Sequence, residues 1–190
     1  MSEADAWAGM SAEAQLAQLR SLPVREMADL VTNYDWSQHP EPVLGWAMAQ
    51  KGIDLRVAVC VFFSGAPERF NYMPKGHVPA PLRGTARVLD NICLRINSGF
   101  YLTQPGSKPS SDRSLRRWLE YQAVDRREGR RGRWILDERI LEPMLNDELS
   151  ATPEQTAWRH ARPSLWRALL APLIGLGVDR DILKYKEPRG

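Results

Sequence analysis

The feature that most constrains the fold of this chain is a run of apolar residues at three- and four-residue intervals between positions 82 and 100. Its members are Leu82, Ala86, Leu89, Cys93, Ile96 and Phe100. The charged residues Arg83, Arg87 and Asp90 lie off that side. Because residues at this spacing share one side of an α-helix, the run predicts a long amphipathic helix.

Proline, glycine and polar residues mark the ends of two shorter helices earlier in the chain. Pro23 is suited to the first position of a helix with apolar residues at 24, 27, 30 and 31. The polar pair Thr32-Asn33 would end that helix. Pro42 opens a second apolar segment, which Gly52 stops.

Residues 55–64 are open to two interpretations. A strand is favoured by β-branched and aromatic residues at every second position, namely Val57, Val59, Val61 and Phe63. A buried helix is favoured by Asp54 as an N-cap and by Gly65 and Pro67 as stop signals. Because the end signals agree with each other, we predict a helix.

Two segments rich in proline and glycine divide the chain. Residues 66–81 predict a long surface loop, and residues 103–111 are the best linker candidate. We therefore expect a helical domain over residues 1–102 and an arginine-rich helical part over residues 112–190, packed on the first as one unit. The fold class predicted is all-α, an irregular multi-helix bundle of short helices and helical hairpins.

The second part carries its own helix signals. Ser111 can cap a helix that ends near Gly129, and residues 134–145 are apolar but broken or kinked by Pro143. The capping box at residues 152–155 and a proline at position 163 predict two further helix starts.

A turn followed by two helical segments resembles a known family. The residues that carry the resemblance are Asn33-Tyr34-Asp35-Trp36, Glu41-Pro42-Val43-Leu44 with Trp46, and Asp54-Leu55 with Ala58, Phe62 and Phe63. The pattern, over about residues 30–102, resembles an uncharacterised bacterial family catalogued as a domain of unknown function. The resemblance implies a helical module and supplies no activity, substrate or catalytic residue.

The turn at residues 33–36 has a structural and a functional interpretation. In the structural one, Asn33 closes a helix in the left-handed conformation, Tyr34 and Trp36 fold over a hydrophobic junction, and Asp35 accepts hydrogen bonds from turn amides. In the functional one, Tyr34, Asp35 and Trp36 belong to an exposed recognition surface.

We find no recognisable catalytic or cofactor motif in the sequence. The three histidines lie far apart, at positions 39, 77 and 160, and no Cys-x-x-Cys pair occurs. The acidic pairs 137–138 and 147–148 consist of adjacent residues, whose side chains point apart on a helix. We expect no cofactor, no metal and no enzymatic activity, unless a deep pocket collects scattered carboxylates with His39 or His77.

Positive charge is concentrated in the second half of the chain. Residues 1–102 carry nine basic and ten acidic side chains, whereas residues 103–190 carry seventeen and thirteen. The candidate binding residues are eight arginines: Arg113, Arg116, Arg117, Arg126, Arg127, Arg130, Arg131 and Arg133. Guanidinium groups bind carboxylates and phosphates bidentately and stack on aromatic rings, and Trp118, Tyr121 and Trp134 are interspersed among them.

Three roles for these arginines stay open. The leading functional hypothesis is a non-enzymatic protein-interaction role, regulatory or immunity-like, with another protein as partner; an acidic protein is one candidate. The alternative is nucleic-acid binding through residues 113–134, where aromatic side chains would stack on bases. Acidic neighbours such as Glu120, Asp125 and Glu128 favour instead an ion-paired surface.

No targeting or membrane-spanning segment is recognisable. Residues 1–14 contain three acidic side chains and no basic one, and the apolar stretch at 165–178 is interrupted by Arg167 and Pro172. Cys60 and Cys93 each lie in an apolar run, typical of small buried side chains in a reducing compartment. We therefore expect a cytoplasmic protein without a membrane partner, and the oligomeric state is left open.

Overall fold

The computed structural model describes residue 7, residues 9–103 and residues 112–145. All of these residues belong to one compact unit, Met1–Ser150. They form seven α-helices and no β-sheet, which confirms the predicted all-α multi-helix fold. The helices are α1 (Ala12–Ser21), α2 (Val24–Thr32), α3 (Pro40–Ala47), α4 (Leu55–Ser64), α5 (Arg83–Asn97), α6 (Asp112–Arg127) and α7 (Glu138–Leu145).

The ends of α2 and α4 lie where the sequence signals place them, to within one residue. Pro23 is the N-cap of α2, one residue before the first helical position for which it was predicted, and Asn33 follows the helix. Asp54 caps α4, because its side chain accepts a hydrogen bond from the backbone N–H of Arg56 at 2.7 Å. Gly65 ends α4. Residues 55–64 are therefore a helix, and the strand interpretation is wrong.

Helix α3 begins two residues earlier than predicted. Pro40, not Pro42, is its first residue. Both prolines lie in the first turn, where backbone N–H groups have no acceptor within the helix, so neither costs a hydrogen bond. The helix ends at Ala47, and Gly52 has a positive φ of 94° in the turn that follows. Helix α1, which was not predicted from the sequence, is capped by Ser11.

The proline-rich loop at 66–81 is only partly a surface loop. It contains the three-residue 3₁₀ helices Pro67–Arg69 and Lys75–His77, and a third, Ala80–Leu82, leads into α5. The side chains of Phe70 and Val78 are buried in the hydrophobic core. These two anchors hold the loop against the bundle.

Helix α5 provides the centre of the core, as its amphipathic pattern predicts. Leu89, Ile92 and Ile96 are fully buried, and α5 packs against both α3 and α4. Each fully buried side chain of this size contributes about 1.5–3 kcal/mol to folding. The helix ends at Asn97, so Phe100 packs on the core from the segment after it.

The segment from Trp134 to Leu145 is not one helix. Residues 134–137 are outside any helix, and α7 begins at Glu138. Just before it, the side chain of Asp137 accepts a hydrogen bond from the backbone N–H of Arg139 at 2.9 Å. Pro143 lies inside α7, which continues to Leu145. Of the two expected effects of this proline, the break is therefore wrong, and the kink stays a prediction.

Several sequence expectations fall outside the described residues. They are Ser111 as a cap, most of the linker at 103–111, the acidic pair at 147–148, His160, and the helix starts near residues 152 and 163. Within the part that is described, no helix is long and apolar enough to cross a membrane.

Candidate interaction site

The turn at residues 33–36 is tied to the core by Tyr34. This side chain is buried, its hydroxyl donates to Oε1 of Gln15 at 2.9 Å, and it accepts from the backbone N–H of His39 at 3.1 Å. Burial raises the pKa of the Tyr34 hydroxyl. The tyrosine therefore connects α1 to the start of α3 instead of facing a partner.

Asp35 and Trp36 also make contacts inside the molecule. Asp35 is exposed, but its Oδ1 accepts from the backbone N–H and the hydroxyl of Ser37 at 2.9 and 2.7 Å. These hydrogen bonds lower the pKa of Asp35. Trp36 is half-buried, and its ring packs closely on Gly65. A β-carbon at position 65 would lie 2.8 Å from the ring of Trp36. The contacts favour the structural interpretation of the turn.

Asn33 closes α2 in a way that the sequence argument did not predict. Its φ is −105°, so it is not in the left-handed conformation. Its backbone N–H donates to the Leu30 carbonyl at 3.3 Å, and its side-chain amide donates to the Asp29 carbonyl at 3.2 Å. The side-chain amide of Asn33 therefore satisfies a carbonyl at the end of α2, and no residue in the left-handed conformation is needed there.

The arginine at the end of the cluster, Arg133, belongs to the interior. Its side chain is 10% exposed and binds Asp90 bidentately, with Nε–Oδ1 and Nη2–Oδ2 distances of 2.9 and 2.8 Å. The guanidinium also lies 5.1 Å from the ring centre of Trp134. The indole N–H of Trp134 donates to the same carboxylate at 2.9 Å.

Asn71 completes this arrangement from the loop at 66–81. Its backbone carbonyl accepts a hydrogen bond from the backbone N–H of Arg133 at 2.6 Å, and its side-chain oxygen accepts one from the backbone N–H of Trp134 at 3.2 Å. A β-carbon at Gly132 would overlap the Asn71 side chain, so glycine is required for this close approach. We call Asn71, Asp90, Arg133 and Trp134 the Asp90 clamp.

The ionisation of Asp90 follows from its neighbours. Burial alone would raise the pKa of this carboxyl, but the hydrogen bonds and charge of Arg133, the indole N–H of Trp134 and the charge of Lys75 lower it below its ordinary value. The Lys75 ammonium is 3.7 Å from the carboxylate. Arg133 thus holds a structural ion pair.

Three further arginines are engaged within the protein, although all are exposed. Arg116 donates to the carbonyl of Leu145, near the end of α7, at 2.6 Å. Arg126 pairs with Glu138 at 2.5 Å. Arg130 contacts Glu128 and lies 3.5 Å from Asp125. The charges of Arg126 and Arg130 are therefore partly neutralised before any partner binds, whereas Arg116 uses a hydrogen-bond donor and keeps its charge.

The remaining four arginines are exposed and form no ion pair with a described residue: Arg113, Arg117, Arg127 and Arg131. Arg117 is nevertheless held in place. Its guanidinium lies 5.4 Å from the ring centre of Tyr121, and its Nε donates to the tyrosine hydroxyl at 3.0 Å. Arg127 donates only to the carbonyl of Ala123 in its own helix, at 3.3 Å. The eight arginines thus do not form one uniform patch.

A groove of about 600 Å³ lies between α6, the end of α4 and the loop after it. Its aromatic lining is Phe63, Tyr72, Trp118 and Tyr121, and its charged lining is Glu68, Arg117, Asp125 and Arg130. We call this cavity the α6 groove. It combines apolar surface with groups of both charges, the usual composition of a recognition site.

Aromatic contacts fix the base of the α6 groove. Trp118 is 6% exposed and makes edge-to-face contacts with Phe62 and Phe63 at centroid distances of 5.9 and 5.8 Å. By contrast, Tyr72 and Tyr121 are 59% and 50% exposed. The groove therefore has a rigid aromatic base and two accessible tyrosines.

Tyr72 was not predicted as a site residue. Its hydroxyl donates to Oδ2 of Asp125 at 2.6 Å, which connects the loop to α6 and raises the pKa of the tyrosine. The two residues are 53 positions apart in the sequence. No local pattern could have joined them, because the loop reaches α6 only through the tertiary fold.

The groove collects few groups that could act in catalysis. Its carboxylates are Glu68 and Asp125, and neither His39 nor His77 lines it. Asp125 already accepts a hydrogen bond from Tyr72. Elsewhere, burial raises the pKa of the Cys93 thiol to about 12, so it is protonated and a poor nucleophile at neutral pH. The described residues contain no cluster of three or more histidines, cysteines or acids placed to hold a metal ion.

No family model, no curated protein and no solved structure matches this chain. The resemblance of residues 30–102 to a bacterial domain of unknown function stays a prediction. Function is therefore inferred from the contacts and charges of the described residues.

Proposed function

We propose that the protein is a cytoplasmic, non-enzymatic interaction protein, regulatory or immunity-like, which binds a partner protein through the α6 groove. The observation that carries this proposal is the pair of half-exposed tyrosines, Tyr72 and Tyr121, beside Arg117. Tyrosine, tryptophan and arginine are the residues most often found at the energetic centre of protein interfaces. Cys60 and Cys93 are free thiols, which fits a reducing compartment.

The groove is already organised before a partner arrives. Tyr72 is hydrogen-bonded to Asp125, Tyr121 is in contact with Arg117, and Trp118 is packed on the core. Side chains that are ordered in the free protein lose less conformational entropy on binding. This order supports the proposal that the α6 groove is a binding site and not an incidental depression of the surface.

The mixed charge of the groove favours a protein over a nucleic acid. Glu68 and Asp125 line it together with Arg117, and a nucleic acid, which carries a negative charge at every nucleotide, would bring phosphates close to these carboxylates as well as to the arginine. Arg130, the other arginine of the groove, is already in contact with acidic residues. A protein segment can place positive and negative side chains along such a groove in any order.

Nucleic-acid binding is the second candidate, because Tyr72 and Tyr121 beside Arg117 are also suited to stacking on unpaired bases. The test is a fluorescent single-stranded oligonucleotide titrated with the full chain at low and moderate salt. Phosphate-driven binding must weaken steeply as the salt concentration rises. If tight, salt-sensitive binding is seen and Tyr121→Ala abolishes it, the protein-interaction proposal is replaced.

The protein-interaction proposal is tested by affinity purification of the tagged full chain from cells of its source. Tyr121→Ala removes a half-exposed ring from the groove, and Arg127→Ala removes an exposed charge from the same helix outside it. We expect a stoichiometric partner with the unmodified chain and with Arg127→Ala, and its loss with Tyr121→Ala. Recovery of no stoichiometric protein, or of equal amounts with both variants, contradicts the proposal.

A further inference from the structure

We infer that the α6 groove, together with Arg113 in the depression beside it, recognises an extended acidic segment of a partner protein, in which two carboxylate side chains and one aromatic side chain occupy every second position. The inference rests on the proposed function and adds the chemistry of the partner. It follows from the spacing of Arg113, Arg117 and Tyr121 along α6 and from the charges around them.

The three residues form a straight row on one side of α6. Arg113, Arg117 and Tyr121 are four positions apart, and four helical residues rise about 6 Å along the axis. In an extended peptide, side chains on one face are two residues apart, or about 6.6 Å. Every second side chain of an extended segment can therefore meet one member of the row.

The first two members of the row favour negative charge, because the depression that they line contains three arginines and one acidic residue, Glu120. Arg113 and Arg117 are exposed and have no acidic partner among the described side chains, whereas Arg130 contacts two acids. Arg113 also lies in the first turn of α6, where the positive end of the helix dipole adds to its potential. Carboxylates are thus expected at the two positions that face Arg113 and Arg117.

The third position of the row is apolar. Tyr121 faces the α6 groove together with Tyr72, and the base below them is formed by Phe63 and Trp118. An aromatic side chain inserted there makes edge-to-face or offset-stacked contacts with several rings at once. Arg117 already lies over the ring of Tyr121, so its guanidinium is fixed in orientation. The second carboxylate of the segment, two residues from the aromatic side chain, would lie beside this guanidinium.

The inference is tested with labelled peptides and the full chain, by fluorescence anisotropy. The probe is Gly-Glu-Ala-Glu-Ala-Phe-Gly, and it is also made in reverse order because an extended chain can run either way along α6. One control, Gly-Glu-Glu-Ala-Ala-Phe-Gly, has the same composition but places the two carboxylates on opposite faces. A second control replaces both glutamates by glutamine. We expect saturable binding of the probe in at least one direction, and binding about tenfold weaker for each control.

Variants of the protein separate the row from its surroundings. Arg117→Ala is expected to weaken probe binding about tenfold and Arg113→Ala/Arg117→Ala about a hundredfold, since each removes a charge-assisted hydrogen bond. Arg127→Ala removes the same charge from the same helix and should change binding less than about twofold. Arg117→Lys should bind less tightly than the unmodified chain, because lysine cannot make the bidentate contact.

Failure of this inference is distinguishable from failure of the proposed function. If the probe does not bind in either direction while Tyr121→Ala still abolishes recovery of a partner from cells, the acidic-segment inference is wrong and the groove remains an interaction site. Equal binding of the probe and the permuted control also overturns the inference. Probe binding that Arg127→Ala weakens as much as Arg117→Ala does would assign it to general positive charge and would overturn it as well.

Discussion

The two ends of the arginine-rich segment use the same residue type in opposite ways. At its C-terminal end, Arg133 is nearly buried, contacts the ring of Trp134 and is bound bidentately to Asp90. Near its N-terminal end, Arg117 contacts the ring of Tyr121 in much the same manner, but it is exposed and has no ion pair within the described chain. The local sequence environments are similar, and the difference lies in the tertiary partner.

That difference separates stability from recognition. Arg133 joins α5, the loop at 66–81 and the segment before α7 through the Asp90 clamp, so its Nε and Nη2 are already used in the folded chain, while its buried Nη1 has no hydrogen-bond partner among the described residues. Arg117 donates only to Tyr121 among the described residues and retains donors for a partner. A cluster of arginines in a sequence is thus not one functional unit, and each member has to be assigned by what it contacts.

The largest expected effect comes from breaking the Asp90 clamp. Arg133→Ala leaves the partly buried carboxylate of Asp90 with only Lys75 and the indole N–H of Trp134. We expect the free energy of unfolding to fall by about 2–4 kcal/mol, between the values typical of exposed and fully buried ion pairs. Urea denaturation followed by circular dichroism measures the change.

Arg131→Ala is the matched control for that substitution. Arg131 is two residues away, exposed and without an ion pair to any described residue, so its loss should change the unfolding free energy by less than about 0.5 kcal/mol. A double-mutant cycle with Asp90→Ala should give a coupling energy of about 1–3 kcal/mol. Equal effects of Arg133→Ala and Arg131→Ala would show that the clamp does not stabilise the fold.

A smaller loss of stability is expected on acidification. The pKa of Asp90 in the folded chain lies below its ordinary value of 3.8, so its ionised form stabilises the fold above about pH 4. This contribution is lost as the pH falls through the folded-state pKa. The stability difference between the unmodified chain and Asp90→Asn should therefore be largest near pH 7 and narrow below about pH 4. A difference that stays constant over that range contradicts the assignment.

Much of the fold could be predicted from the sequence because its signals are local. Asp54 and Gly65 bound α4, and the three- and four-residue spacing of Leu89, Cys93 and Ile96 predicts the buried side of α5. The prediction fails where two local signals compete. Pro40 and Pro42 are both compatible with a first helical turn, and we predicted that the helix begins at Pro42, whereas it begins at Pro40.

The candidate site could be predicted only in part because its contacts are long-range. Tyr121 and Arg117 lie in the predicted arginine-rich helix, but Tyr72 lines the same groove from the loop at 66–81, which was predicted only as a surface loop. Likewise, no pattern near Arg133 indicates that Asp90, 43 residues earlier, will neutralise it. Residue type indicates what a side chain can bind, whereas the tertiary fold decides whether that capacity is already used.

The smallest effect on stability is expected for substitutions at the exposed, N-terminal end of the arginine-rich segment. Arg113→Ala/Arg117→Ala removes two charges that form no ion pair with any described residue, so the unfolding free energy should change by less than about 1 kcal/mol. The loss of the contact between Arg117 and Tyr121 is included, because an exposed interaction of this kind contributes little. Urea denaturation of this variant beside Arg133→Ala measures both ends of the segment under one set of conditions. A loss comparable to that of Arg133→Ala would mean that Arg113 and Arg117 stabilise the fold, and it would remove the reason to assign them to a partner.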